Sequence, residues 1–162
     1  MDLLAAIVLG IHLVAAVLFV GGSFFMWLVV EPASHELTSD ESARTALVGR
    51  MARHFGRWTT PLLVVLILTG IYNASWYLGS PGALFTTIGG RLLLVKAIAV
   101  AVLVALIYVH GLYFGRRIMR LAREGRLDEL RRVRRISRKI SYTNLGLMLA
   151  VLALAVALQV PG

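Results

Sequence analysis

LLAAIVLGIHLVAAVLFVGGSFFMWLVV, residues 3–30, runs for 28 residues without a single Asp, Glu, Lys or Arg. At 1.5 Å per residue this stretch crosses the ~30 Å hydrocarbon core of a bilayer as one helix. It does not read as a secretory signal. A signal peptide has a basic start and a short apolar core, whereas here Asp2 precedes the block, no basic residue does, and the block is about twice the usual length. We read it as a retained first transmembrane helix. Three more apolar blocks follow, at 58–78, 88–114 and 140–160, each long enough to span. The expected fold is therefore all-α: one integral membrane four-helix bundle made from the whole chain, 1–162.

Composition agrees. The chain is 59% hydrophobic with a mean hydropathy of +0.81, against 45–50% apolar in soluble domains. It has no cysteine, so disulfides, thiolate metal sites and CxxC redox chemistry are excluded. Between the blocks lie connectors of contrasting charge. Residues 31–58 are polar and carry Arg44, Arg50, Arg53 and Arg57. Pro32 is expected to end the first helix, and Ser39–Asp40–Glu41 to start the second in the aqueous phase. Gly79–Ser80–Pro81–Gly82 is a turn with no cation. The stretch 116–139 holds ten arginines and Lys139, and reads as a basic helical extension between helices 3 and 4, with Leu127, Leu130, Val133 and Ile140 near one face.

Both basic connectors lie on one side of a four-span bundle. The positive-inside rule makes that side cytoplasmic and leaves both termini outside. The net charge of +9 is then accounted for by topology, and nucleic acid is not expected as a partner. The lipid bilayer is, with anionic lipid at 116–139.

Once topology is set, residue number becomes depth, and polar groups at membrane depth are candidates for function. On helix 1, His12, Phe19 and Met26 share a face. On helix 3, Lys96 and His110 do so too. Two layers result. The outer one holds His12, Asn73 and Lys96, and His12 is expected to approach Lys96 across a contact between helices 1 and 3. The inner one holds Met26, His110, Asn144 and Met148, with His54 below it beside Arg50 and Arg53. His35 is expected to be solvated in its loop. Each histidine, taken singly, also fits a hydrogen bond to a neighbouring helix, and each methionine fits plain core. Imidazole is a common ligand of copper and of haem iron, and thioether favours Cu(I). The metal candidates are His12, His54, His110 and Met26. A haem b between facing histidines is the other fit, with arginines beside His54 to neutralise its propionates. No Asp or Glu lies inside a block, which argues against carboxylate acid–base catalysis. There is no nucleophile elbow, phosphate loop or HExxH motif.

Thr87, Gly90, Arg91, Leu93, Leu94 and Lys96 together spell T-x-x-G-R-x-L-L-x-K. This resembles the signature of the CopD-type copper-resistance membrane proteins. Leu68–Thr69–Gly70, Ile11–His12–Leu13 with Phe19–Val20–Gly21–Gly22, and Asn144–Leu145–Gly146 resemble the helices around it. A sister resemblance is to the HemJ-type protoporphyrinogen oxidases, whose helix positions are matched by His12, Thr60–Pro61, Lys96 and His110. The last helix departs from their Asn-Glu-x-Pro motif, reading Asn144–Leu145–Gly146–Leu147. The first resemblance implies a multi-pass protein of a prokaryotic cytoplasmic membrane that handles or transports copper. The second implies a b-haem redox protein. A structural subunit, packing against its own copies or another membrane chain, is the third possibility left by the residues.

Overall fold

The computed structural model describes residues 3–158. Within them lie four helices long and apolar enough to cross a membrane: α1 Leu3–Leu37, α2 Glu41–Leu78, α3 Ile88–Arg123 and α4 Leu127–Ala157. The last two residues of the expected fourth span, 159 and 160, fall outside the described residues. No strand occurs among the described residues. Most large apolar side chains of the spans point outward, Val17, Trp58, Ile71 and Val156 among them. In lipid that outward face has its natural solvent, and the helical backbone pairs its own polar groups through the span.

The helices overrun the apolar blocks at the basic end. α2 begins at Glu41, capped by Asp40, whose side chain accepts from the Ser42 N–H at 2.9 Å. It then continues through Pro61 to Leu78. Pro32, expected as a stop, does not end the first helix. The backbone widens to a π-helix over Met26–Val30, and Pro32 falls in the first turn of the helical stretch Glu31–Leu37 that follows. A first turn has no use for the missing N–H, so the proline is tolerated there. α3 contains a second π segment, Val109–Gly115.

The basic stretch is not a single helix. α3 ends at Arg123 and α4 starts at Leu127, with Gly125 at φ +67° in the turn between them. That left-handed conformation suits glycine and would strain other residues. The two helix ends fold back on each other as a hairpin around Leu121, Ala122, Leu130 and Val133. Burial of Leu130 and Val133 agrees with the apolar face read from sequence, whereas Leu127 is exposed.

Around the bundle the order is α1, α2, α3, α4, with the closest packing between α1 and α2 and between α3 and α4. Helices α1 and α3 therefore sit on a diagonal, and the expected α1–α3 contact is replaced by opposition across the core. Phe19, Leu63, Leu103, Leu145 and Met148, drawn from all four helices, form the buried centre. At the basic end, Glu41 on α2 accepts from Arg131 and Arg134 on α4 at 3.2 Å each, and Glu31 on α1 lies 3.6 Å from Arg138.

Candidate functional site

Phe19 and Leu103 lie seven residues, two helical turns, beyond His12 and Lys96 on their helices. Met26 and His110 lie seven residues further. The apolar centre thus separates one polar layer toward the described chain ends from another toward the basic end.

His12 is half-buried, and its Nδ1 lies 2.8 Å from the Thr69 hydroxyl on α2. That hydroxyl donates its own proton to the Val65 carbonyl at 2.6 Å. A hydroxyl has one proton to give, so toward His12 the Thr69 oxygen acts as acceptor and Nδ1 carries the hydrogen. The Nε2 lone pair is left free for a ligand. This is the arrangement that orients metal-binding histidines, in which the second ring nitrogen donates to a fixed acceptor. Gly70 completes the seat, since a Cβ there would lie 3.4 Å from His12 Cε1. Lys96, also half-buried, stands across the diagonal within electrostatic reach of the imidazole. Asn73 adds a buried amide nitrogen with no hydrogen-bond partner.

The signature around Lys96 is explained by local structure. Thr87 caps α3, its hydroxyl accepting from the Gly90 N–H at 2.9 Å. Gly90 is buried, and a Cβ there would overlap the carbonyl oxygen of Ala83 in the single-turn helix Ala83–Thr86. Thr and Gly seat the start of α3, and six residues on, Lys96 enters the bundle.

At the other layer, His110 is the second residue of the α3 π segment. Such widened turns recur at functional sites. Its ring stacks on Phe114 with centroids 6.5 Å apart, and its Nδ1 is buried without a partner. Asn144 is buried with an unpartnered Oδ1, and Met148 is buried one turn further on. Met26, half-buried, opens the π segment of α1. An unmade hydrogen bond on a buried polar atom costs about 1–3 kcal/mol, so His110 Nδ1 and Asn144 Oδ1 each call for a partner that the described residues do not supply. His54, Arg50 and Arg53 are exposed. No hydrogen bond joins His54 or Asn144 to His110. Arg50 and Arg53 face a cavity that His54 does not line. His35 is exposed and pairs with Glu31 at 3.8 Å. Among the described residues no three His, Asp or Glu side chains converge, so a metal held here draws on His together with Met, Asn or Lys.

Thr69 and Gly70 are the residues that sequence reasoning missed. They were visible only as part of a motif. The signal available was depth: Thr69 lies one turn before Asn73, at the level of His12.

No curated protein and no solved structure matches the chain. A family model, copper resistance protein D, matches residues 49–158. That is about two-thirds of the chain, and it takes in Thr69, Lys96, His110 and Asn144, while His12 and Met26 lie before it. Neither the match nor the geometry adds support to the haem reading. With the signature around Lys96 and four membrane-spanning helices now joined to this match, the chain belongs to the CopD family of copper-resistance membrane proteins.

Proposed function

We propose that the protein moves copper, as Cu(I), between the two polar layers of its bundle, across the cytoplasmic membrane of a prokaryote and with the basic end in the cytoplasm. The observation that carries this reading is the pair of half-buried histidines on either side of one apolar centre, each with a ring nitrogen open to a ligand. His12 offers Nε2 and His110 offers Nδ1. Met148 in the centre and Met26 beyond it supply thioethers, which together with imidazole suit Cu(I). Cu(I) is also the cheaper ion to carry through an apolar constriction, having a single charge.

Lys96 shapes the first step. An ammonium and a copper ion in one low-dielectric layer repel each other strongly. Copper therefore binds at His12 as Lys96 gives up its proton, and loading of this layer is linked to release of that proton. Asn73, one turn beyond Thr69 on α2, has a buried amide nitrogen without a partner, and Thr69 and Gly70 hold the imidazole in place.

The test is copper uptake into proteoliposomes, read by elemental analysis, for wild type, His12→Ala, His110→Ala and the loop control His35→Ala. Both site variants are expected to lose uptake by at least about tenfold while remaining folded, because one polar contact in a membrane bundle contributes only about 1 kcal/mol. Uptake at the wild-type level in His12→Ala and His110→Ala rejects the two-layer path.

A further inference from the structure

Two clusters of arginines surround cavities at the basic end, and they differ in whether a carboxylate lies among them. On the α1/α2/α4 side, Arg131, Arg134 and Arg138 are matched by Glu41 and Glu31. On the α2/α3 side, Arg50, Arg53 and Arg123 line a cavity of about 230 Å³ over a floor of Ala46, Met119 and Ala122. Among the described residues, none of these three arginines has a carboxylate within ion-pair distance. The positive-inside rule explains why arginines are at this end. It does not explain three uncompensated guanidinium groups around one concave, apolar-floored cleft.

The cleft is built by close packing. Gly49 leaves the space into which Met119 fits: a Cβ there would lie 2.5 Å from Met119 Sδ, and 3.6 Å from Arg53 Nη1. The Arg53 guanidinium is thus folded back beside the cleft floor. The Ser42 hydroxyl donates to the Ala122 carbonyl at 3.4 Å and ties the two helices at the far edge. The cavity is smaller than the ~300–1,000 Å³ of sites for drug-sized ligands, and it suits one compact anionic group.

Depth names the source of that group. The two helices that form the cleft each present an exposed aromatic residue on this side, Trp58 on α2 and Tyr113 on α3, and on the other two helices Trp27 and Tyr142 meet edge to face at 5.6 Å. Aromatic belts of this kind mark the membrane–water interface. Arg53 lies five residues from Trp58, and Met119 six from Tyr113, so the cleft opens roughly 7–9 Å beyond the belt. The headgroup layer of one leaflet is about 5–8 Å thick, which puts the mouth of the cleft level with lipid phosphates.

We propose that the cleft between α2 and α3 binds the phosphate of an anionic phospholipid headgroup, with Arg50, Arg53 and Arg123 as its ligands and Met119 against the adjoining apolar part of the lipid. Arginine suits this role through its paired donors to phosphate oxygens. The site is independent of the copper path.

The experiment places the purified full-length protein in nanodiscs of phosphatidylcholine containing phosphatidylglycerol, and reads retained lipid by native mass spectrometry after transfer to neutral detergent. Wild type is expected to retain phosphatidylglycerol in preference to phosphatidylcholine. Arg50→Gln/Arg53→Gln/Arg123→Gln is expected to lose roughly tenfold more of it than Arg57→Gln/Arg116→Gln/Arg132→Gln, which removes the same charge from exposed positions outside the cleft. Ala46→Leu fills the cleft with its charge intact and is expected to lose the lipid as well, which keeps the test valid if the triple variant misfolds. Equal loss in both triple variants reduces the effect to overall charge and overturns the proposal. So does full retention in Ala46→Leu. Displacement of the lipid by sub-millimolar inorganic phosphate overturns the lipid assignment in favour of a free-anion site.

Discussion

His12 donates through Nδ1 to a threonine whose own proton is already committed to the Val65 carbonyl, and this makes Thr69 a positioning residue with a definite signature. Thr69→Val keeps the shape and removes the acceptor, whereas Thr69→Ser keeps it. Nitrogen NMR of ring-labelled histidine is expected to show the Nδ1–H tautomer at His12 in wild type and Thr69→Ser, and a tautomer mixture in Thr69→Val. Copper binding should weaken about 10–100-fold in Thr69→Val alone, the usual cost of removing a metal ligand's orienting partner. An unchanged tautomer with unchanged affinity would remove Thr69 from the site. The prominence of His12, Lys96 and His110 was legible in the chain because ionisable groups are rare at membrane depth. The Thr69 contact was not, because a threonine inside a helix ordinarily bonds back to its own backbone and nothing in its local sequence reveals a second partner on another helix.

At the level of elements, glycines separate into those that admit a neighbour and those that do not. An added Cβ at Gly90 would run into the Ala83 carbonyl, while at Gly10 it would meet nothing within 4 Å. Gly90→Ala is therefore expected to cost about 1–3 kcal/mol through displacement of the Ala83–Thr86 turn. Gly10→Ala should be neutral or slightly stabilising from helix propensity. Unfolding of the two variants in detergent checks the contrast, and equal stability would mean that the Ala83–Thr86 turn gives way freely. The helix boundaries at the basic end illustrate what periodicity leaves open. Apolar blocks mark where lipid is, not where helix stops, so α2 and α4 extend well into their charged connectors. The π segments at Met26–Val30 and Val109–Gly115 each insert part of an extra residue per turn, a change of register to which a 3.6-residue pattern is blind. Gly125 was the visible sign of the break in the basic stretch, since a lone glycine past a run of arginines is a helix C-cap signal.

For the whole molecule, charge is what predicts the orientation. All Lys and Arg except Arg91 and Lys96 lie in the two basic connectors, so a reporter fused after Gly162 is expected to be active only outside the cytoplasm. Activity confined to the cytoplasm would invert the bundle, and the direction of the proposed copper path with it. Fold class, the number of spans and the grouping of polar residues by depth were determined by the amino-acid sequence alone. Hydrophobic length and charge asymmetry are one-dimensional properties, and the bilayer converts position along the chain directly into depth. Which helices touch at a given depth was decided only by the tertiary structure. Between spans there is little hydrophobic driving force, because lipid is as apolar as leucine. Neighbours are chosen instead by small residues that permit close approach, as Gly22 does for Phe55, Gly49 for Met119 and Gly70 for His12. Those fits set α1 beside α2 and leave α3 across the diagonal, so His12 finds Thr69 as its bonded partner and meets Lys96 only through the core.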